Sequence, residues 1–302
     1  MQLYLFETEK AKIVTKTETN DWQSFSVVIS RDVTIRGRHY PGGDKPAAIC
    51  IPGLTRNARD FEELAPEIAK TGRDVYVLSL RGRGNSDYDS KYLNYFPTTY
   101  RDDVLLALDS LKLDEAIFIG TSLGGITTML ANELAPDRVK AAIINDVGPE
   151  LAPEGIARIS SYVGGSLGPA KDLSEAAKRI KAINEVAFPD ATKEEWQAFA
   201  RRTYRQIESG EWVLDYDPNI AKALIENGPA PDLWPAFKSL KNTPTLVIRG
   251  GISDLLSPEI VEKMRAVHPN FEYAEVPRVG HAPMLTEPEA LNAITAFLAN
   301  IN

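Results

Sequence analysis

The most informative stretch of this sequence is Glu115-Ala-Ile-Phe-Ile-Gly120-Thr121-Ser122-Leu123-Gly124-Gly125-Ile126. Its apolar run, residues 116–119, has the length and β-branched content of a fully buried strand. From Ile126 onward, apolar residues recur at the spacing of a helix face. Between strand and helix lies Gly120-Thr121-Ser122-Leu123-Gly124, which fits the pattern G-x-S-x-G. The stretch therefore predicts a strand, a sharp turn centred on Ser122 and a helix.

The two glycines of this pattern have a steric explanation. A chain that turns from strand to helix within a few residues forces the serine into a strained backbone conformation. Side chains two positions before and after it would collide with the neighbouring helix and strand. The turn also directs Ser122 Oγ towards solvent, at a helix N-terminus where free N–H groups and the helix dipole favour an anion. We therefore predict that Ser122 is a catalytic nucleophile rather than part of an ordinary strand-to-helix turn.

Composition excludes several classes of function. With 302 residues, 43% hydrophobic and 25% charged, the chain has the balance of a globular protein. Its net charge of −8 and its lack of basic runs argue against nucleic acid or an anionic membrane as a partner. No membrane-spanning apolar stretch and no basic signal-peptide start are present. The single cysteine, Cys50, cannot form an internal disulfide. We expect a cytoplasmic protein.

Strand and helix patterns alternate along most of the chain. An antiparallel pair of strands is predicted within residues 24–40. Buried strands then alternate with amphipathic helices over residues 47–145 and again over residues 244–300. Such alternation is typical of a mostly parallel sheet with helices on both faces. The predicted fold class is therefore α/β, with a core domain formed by residues 1–147 and 242–302.

The alternation is interrupted between residues 148 and 241. Strand patterns stop there, and helical patterns are predicted at 153–163, 172–187, 192–207 and 218–227. Ligands of open α/β sheets bind at the carboxyl ends of the strands. We therefore interpret residues 148–241 as an inserted helical cap that covers this edge of the sheet.

A nucleophilic serine needs a base, usually a histidine that a carboxylate holds in place. The chain has three histidines. His39 lies in the N-terminal hairpin, and His268 closes a helix, where a partly exposed position is expected. His281 lies in the loop directly after the last strand, at the ligand-binding edge of the sheet. His281 is therefore the predicted base.

Two aspartates are candidates for the carboxylate. Asp254 follows the penultimate strand, and Asp146 follows the strand after the Ser122 turn. Both fit the chain order serine, aspartate, histidine, and either could instead form an Asx turn or cap a helix. We favour Asp254, because its strand is expected to neighbour the strand that leads to His281. Asp146 is kept as the alternative acid.

The loop after the third strand is predicted to complete the site. An attacked carbonyl develops negative charge that two N–H donors must stabilise. The predicted donors of this oxyanion hole are the backbone N–H groups of Leu123 and Leu54. Thr55 and Arg56, in the same loop as Leu54, either contact the substrate or cap the following helix. The turn at residues 81–86 lacks the third glycine of the phosphate-binding motif G-x-G-x-x-G, which argues against a phosphate-binding loop. We interpret it instead as a turn after a strand that supports the loop of Leu54.

The predicted cap supplies further candidates for substrate binding. Most of its aromatic residues are expected to form the core of the cap. A subset facing the site would suit an apolar acyl or aromatic substrate, and Tyr162 and Trp196 are our candidates. Three histidines and one cysteine, none at metal-ligand spacing, predict no metal site and no cofactor.

Together these segments resemble the α/β-hydrolase superfamily, from about Ser24 to the C-terminus. The resemblance rests on Pro52-Gly53-Leu54, Arg81-Gly-Arg-Gly-Asn-Ser86, Gly120-Thr-Ser-Leu-Gly-Gly125, Asn145-Asp-Val-Gly-Pro-Glu150, Gly251-Ile-Ser-Asp254 and Gly280-His281. It implies a mostly parallel eight-stranded sheet and a Ser-His-Asp triad. Within the superfamily the chain looks like bacterial cofactor-free esterases, lactonases or carbon–carbon bond hydrolases. Pro52-Gly53 stands where the family often has His-Gly, which leaves the backbone donor of the next residue, Leu54, in place.

The main hypothesis is therefore a serine hydrolase that cleaves a carboxylic ester or lactone of a small, largely apolar molecule. One alternative keeps the same triad but cleaves a carbon–carbon bond in a vinylogous diketone. Such a substrate usually carries a carboxylate, which a cap-side arginine such as Arg158 or Arg201 would bind. Acyl transfer is a third reaction open to the same triad. A low-turnover ligand receptor with a hydrolase fold is the alternative from a different class.

Overall fold

The computed structural model describes residues 12–14, 21–164, 168–228 and 231–302. The parts of the predicted core and cap at 1–11, 15–20, 165–167 and 229–230 lie outside the described residues. The strands are β1 (Lys12–Val14), β2 (Gln23–Ser30), β3 (Val33–Ile51), β4 (Arg73–Ser79), β5 (Ala116–Thr121), β6 (Val139–Asn145), β7 (Tyr204–Gln206), β8 (Trp212–Leu214), β9 (Thr245–Gly250) and β10 (Glu272–Val276). The α-helices are α1 (Leu64–Ala69), α2 (Pro97–Leu111), α3 (Leu123–Leu134), α4 (Pro153–Tyr162), α5 (Leu173–Asn184), α6 (Lys193–Thr203), α7 (Asn219–Glu226), α8 (Trp234–Ser239), α9 (Pro258–Val267) and α10 (Pro288–Ala299).

A single sheet of eight strands organises the fold. Its order is β1-β2-β3-β5-β6-β9-β10, with β4 paired to β3. Strands β5, β6, β9 and β10 run parallel to one another and to the end of β3. The predicted α/β class with a mostly parallel sheet is confirmed. Because the carboxyl ends of parallel strands share one edge, the loops after β3, β5, β6, β9 and β10 meet there.

Strand β3 is longer than the sequence analysis predicted. Residues 36–40 pair antiparallel with residues 75–79 of β4. Residues 48–50 align with residues 75–77 in ascending order on both strands and are parallel to β5. The two halves of β3 therefore flank β4. Residues 41–43, Pro-Gly-Gly, are typical of a break between strands, which is why the sequence pattern predicts two separate strands here.

Alternating side chains cover the two faces of the sheet with separate apolar clusters. On β5, Phe118 points to one face, where it packs with residues of α2, α3, α8 and α9. Ile117 and Ile119 point to the other face, where they pack with residues of α1 and α10. Cys50 is fully buried in this second cluster. Both faces are therefore covered by helices, as expected for a parallel sheet.

The segment between β6 and β9 is mainly helical. Helices α4, α5, α6 and α7 lie within the four ranges that the helical periodicity predicted. The end of the third range forms β7 instead, because residues 204–206 pair with β8 in a short hairpin. Helix α8 packs on α3, and its Phe237 is fully buried in the cluster that covers the sheet. Helix α8 lies within the range predicted as cap, residues 148–241, but it packs with the sheet. The division into a core and a cap stays a prediction.

No helix in the described ranges has both the length and the apolar character needed to cross a bilayer.

Candidate active site

The turn at Ser122 has the strained geometry that its glycines predict. Ser122 has φ 54° and ψ −114°, outside the regions that most residues adopt. A Cβ on Gly120 would overlap the backbone of Gly124, and a Cβ on Gly124 would overlap the carbonyl oxygen of Ile51. Strand β5 ends at Thr121 and helix α3 begins at Leu123. The steric reason for glycine at both positions is therefore confirmed.

A chain of hydrogen bonds runs from Ser122 through His281 to Asp146. Ser122 Oγ lies 2.9 Å from His281 Nε2. On the other side of the ring, His281 Nδ1 lies 2.8 Å from Asp146 Oδ2. The three residues come from the loops after β5, β10 and β6, which share one edge of the sheet. This is the arrangement in which a histidine can take the serine proton while a carboxylate orients the ring.

Asp146 is fully buried, and its carboxylate is held on both oxygens. The backbone N–H of Gly250 donates to Oδ1 at 2.8 Å. The Ser253 hydroxyl donates to Oδ2 at 2.7 Å and accepts the N–H groups of Leu255 and Leu256. A buried carboxylate needs such partners because it has no contact with water. Ser253 was not predicted as a site residue.

The expectation that Asp254 holds His281 is wrong. Asp254 forms a two-pronged ion pair with Arg158 of α4, with Nε–Oδ2 2.5 Å and Nη2–Oδ1 2.9 Å. Strands β9 and β10 are neighbours, as expected, but Asp254 lies beyond the end of β9 in a loop that faces α4. Burial acts to raise the pKa of Asp254, but the hydrogen bonds and charge of Arg158, with a smaller contribution from the charge of His281, hold this pKa below its ordinary value.

The loop after β3 lies beside the serine. A Cβ on Gly53 would come within 3.7 Å of Ser122 Cβ. The turn after β4 supports this loop, because Arg83 Nε donates to the Leu54 carbonyl at 2.8 Å. Arg83 is fully buried, and its guanidinium also donates to the Tyr100 hydroxyl. The interpretation of residues 81–86 as a support is thus confirmed, and the use of the Leu54 and Leu123 N–H groups as an oxyanion hole stays a prediction.

Ser122 and His281 open into a cavity of about 590 Å³. Thr55, Arg56 and Tyr162 line it, as do Thr203, Tyr204 and Tyr216. Its apolar lining consists of Leu54, Phe61, Ile159, Ile180, Ala182, Ile183, Phe188, Phe199, Leu214, Ala282, Pro283, Met284 and Leu285. Burial raises the pKa of each of the three tyrosines, so their hydroxyls stay uncharged. Most residues of the cavity lining are therefore apolar, and its polar part besides His281 consists of neutral hydroxyl and amide groups and the paired charges of Arg56 and Asp60.

Trp196 does not belong to this cavity. Its side chain is 4% exposed and packs inside the helical segment. Phe188 and Phe199 contact it, each with ring centroids 6.1 Å from the indole, and these two phenylalanines line the cavity instead. The prediction for Trp196 is wrong, because helical periodicity does not say which apolar side chain on α6 faces the cavity and which faces the helices beside it.

Arg56 lines the cavity with its charge already paired. Asp60, four residues further along in a short 3-10 helix (Ala58–Phe61), binds Arg56 Nε at 2.7 Å and Nη2 at 2.5 Å. Arg56 Nη1 donates to the Thr203 hydroxyl, and the guanidinium lies 4.3 Å from the ring centroid of Phe199. Asp60 was not predicted as a site residue. Its spacing of four residues from Arg56 is the signal that could have identified it.

The other two histidines lie outside the cavity. His39 stacks on Tyr76 with ring centroids 4.4 Å apart and lies 3.2 Å from the Asp74 carboxylate. His268 was expected to be partly exposed but is buried beside Phe237, and this burial lowers its pKa. Among the described residues, no three His, Cys, Asp or Glu side chains are grouped so that they could hold a metal ion.

Comparison with known proteins identifies the family. Residues 48–294 match the model of the alpha/beta hydrolase family. The chain belongs to the α/β-hydrolase family. This hydrolase is 32% identical over 258 residues to a 3-hydroxybutyrate-oligomer hydrolase from Cupriavidus necator, and the match covers 82% of this chain and 87% of the relative.

Two further matches span most of this α/β hydrolase. It is 26% identical to a 2-(acetamidomethylene)succinate hydrolase from Mesorhizobium japonicum, over 85% of this chain and 89% of the relative. Its fold matches the crystal structure of an α/β hydrolase from Novosphingobium aromaticivorans with a TM-score of 0.87 and 38% identity, covering 92% of this chain and 98% of the other. The two relatives whose names include a substrate are named for different ones, so membership of the family leaves the substrate open.

Proposed function

We propose that this protein is a serine esterase that cleaves a carboxylic ester of a small, largely apolar molecule through an acyl-enzyme on Ser122. The observation that carries the proposal is the continuous hydrogen-bonded chain from Ser122 Oγ through His281 to the buried Asp146. It opens into a mainly apolar cavity, which suits an ester better than a charged substrate. Lactones contain the same acyl bond and belong to the same proposal.

In the proposed reaction, Asp146 keeps the proton of the imidazole on Nδ1, so that Nε2 accepts the proton of Ser122. Ser122 Oγ attacks the ester carbonyl, and the N–H groups of Leu123 and Leu54 stabilise the resulting oxyanion. His281 then gives its proton to the leaving alcohol, and the acyl group stays on Ser122. Water attacks this acyl-enzyme with His281 again as the base, which releases the acid and restores the serine.

The similarity to a 3-hydroxybutyrate-oligomer hydrolase supports short hydroxyacyl esters as the first natural substrates to test. We propose that helices α4 to α7 form a cap over the sheet edge, because residues of α4, α5 and α6 line the cavity together with the loops that carry Ser122 and His281. The cavity volume of about 590 Å³ exceeds that of a small ester and leaves room for a dimer or trimer.

Hydrolysis of p-nitrophenyl acetate, butyrate and octanoate, and of 3-hydroxybutyrate dimer and trimer, tests the proposal. Wild type and Ser122→Ala are assayed side by side, with circular dichroism to check that both are folded. We expect turnover by the wild type and a loss of about 10³-fold or more in the variant, because the nucleophile is absent. Turnover that persists in Ser122→Ala, or a folded wild type that hydrolyses none of these esters, would contradict it.

The carbon–carbon bond hydrolase has less support from the cavity. That reaction was expected to use Arg158 or Arg201 to bind a substrate carboxylate. Arg158 is already held by Asp254, and Arg201 is exposed on α6 and does not line the cavity. The receptor alternative predicts ligand-dependent stabilisation without multiple turnovers, so the ester assay also separates it from an enzyme.

A further inference from the structure

Arg56 and Asp60 form an ion pair in the cavity wall, and its consequence for the substrate rests on the proposed esterase function. Among the described residues that line the cavity, Arg56 is the one arginine or lysine and Asp60 the one acidic residue. Both side chains are largely buried, at 13% and 14% exposure. The net charge of this part of the cavity therefore depends on whether the two charges cancel.

The geometry pairs the two charges closely. Asp60 takes two guanidinium N–H groups and the Thr203 hydroxyl takes a third, so three of the five donors of Arg56 are in use. The ring of Phe199 lies against the guanidinium and limits its movement. A two-pronged arginine–carboxylate pair of this kind is among the strongest charged hydrogen-bonded arrangements in proteins.

This pairing has a consequence for the substrate. A substrate carboxylate that approached Arg56 would meet the negative charge of Asp60 on the same guanidinium and would have to displace it. An uncharged acyl chain or a neutral carbonyl meets no such repulsion. We propose that Asp60 is a specificity-determining residue, which neutralises Arg56 and restricts the cavity to substrates whose portion near this pair is uncharged. A 3-hydroxybutyrate oligomer would accordingly bind with its free carboxylate away from Arg56.

Two pairs of matched esters test this assignment, with the charge on either side of the scissile bond. The first pair is p-nitrophenyl isocaproate and p-nitrophenyl hydrogen succinate, and the second is p-acetoxybenzamide and p-acetoxybenzoate. In each pair the two esters have nearly the same shape, and one member carries a carboxylate. The measured quantity is the ratio of kcat/KM for the neutral member to that for the charged member.

We expect the wild type to favour the neutral member, and Asp60→Asn to lower the ratio roughly ten-fold in at least one pair, because the charge of Arg56 becomes available to the substrate. In the double variant Arg56→Gln/Asp60→Asn this fall in the ratio should disappear, because the charge of Arg56 is absent as well. The matched control is Glu63→Gln, which removes a carboxylate that pairs with Arg202 at 2.7 Å and does not line the cavity. Its ratio should equal that of the wild type.

The assignment is overturned if Asp60→Asn leaves both ratios unchanged, or if the double variant has the same lowered ratio as Asp60→Asn. Melting temperatures identify a variant that fails to fold, and Asp60→Ser then replaces Asp60→Asn as the charge-removing change. The failure of the esterase proposal has a different signature, since the wild type would then hydrolyse neither member of either pair. A change in the ratio is informative only because the neutral esters report Ser122-dependent turnover in the same experiment.

Discussion

Asp146 and Asp254 are both carboxylates at the edge of the sheet that carries Ser122 and His281, yet they have different hydrogen-bond partners. Asp146 accepts from Gly250, from Ser253 and from the His281 ring, so its charge is directed at the imidazole. The charge of Asp254 is taken up by the guanidinium of Arg158. The chemical type of the two residues is the same, and the hydrogen-bond partners decide which of them can assist His281.

The two aspartates should therefore respond differently to loss of charge. We expect Asp146→Asn to lower kcat for a p-nitrophenyl ester by about 10³-fold or more, because the asparagine favours the wrong imidazole tautomer. Asp254→Asn should change kcat by less than about ten-fold, because it leaves the hydrogen bonds of His281 in place. Steady-state kinetics of both variants measure the difference. Equal losses in the two variants would contradict the assignment of Asp146 as the acid.

At the scale of single elements, helix α4 is the clearest link between the fold and the cavity. Its start is joined to the loop after β9, since Gly155 N–H donates to the Asp254 carbonyl at 2.9 Å and Arg158 pairs with the Asp254 carboxylate. The end of α4 carries Ile159 and Tyr162 into the cavity lining. The four positions 155, 158, 159 and 162 share one face of the helix, so this part of the cavity wall depends on the loop after β9 that contacts the same face.

The attachment of α4 should be sensitive to acid. The folded-state pKa of Asp254 lies below its ordinary value of 3.8, so the stability from its pair with Arg158 is present above that value and is lost as the pH falls through the lowered pKa. A double-mutant cycle of Arg158→Gln and Asp254→Asn should give a coupling free energy of about 1 kcal/mol at neutral pH.

This coupling free energy, measured by urea unfolding at a series of pH values, should stay constant down to about pH 5 and shrink below about pH 4. Each single variant serves as the control for general acid destabilisation, because that effect cancels in the cycle. A coupling free energy that stayed unchanged to about pH 2 would contradict the ion pair.

At the scale of the whole molecule, the helical segment is joined to the sheet on a second side by buried polar contacts. Arg59 pairs with the buried Asp215 at 2.6 Å, and Gly84 N–H donates to the Asp215 carbonyl at 3.0 Å. Asn57 Nδ2 donates to the Arg202 carbonyl at 3.0 Å. These contacts surround the loop after β3, so they hold the loop beside Ser122 and the helical segment together.

We expect Asp215→Asn to lower the free energy of unfolding by about 2 kcal/mol, because it leaves the largely buried Arg59 without its charged partner. Urea unfolding followed by circular dichroism measures the change. The control is Glu62→Gln, which removes the exposed partner of Arg38 at 3.3 Å and should cost less than about 0.5 kcal/mol. Similar losses in the two variants would show that burial of the Asp215 pair does not increase its contribution to the free energy of unfolding.

Local patterns in the sequence determined the features whose causes are local. The order of strands and helices follows from apolar periodicity over short windows, and the turn at Ser122 follows from backbone sterics that reach two residues in either direction. His281 could be found because three histidines leave few candidates and its loop follows the last strand. These parts of the fold and of the candidate site were predictable before any long-range contact was known.

The tertiary structure alone decided which residues meet across the sheet. Asp146 contacts the His281 ring because β6 pairs with β9. This pairing places Gly250 and Ser253 where they donate hydrogen bonds to the Asp146 carboxylate. Trp196 faces other helices because α5 and α6 pack together and bury it. Contacts of this kind depend on strand order, register and helix packing between residues far apart in the chain. A periodic pattern states that a side chain is buried, and the packed fold determines which neighbour buries it.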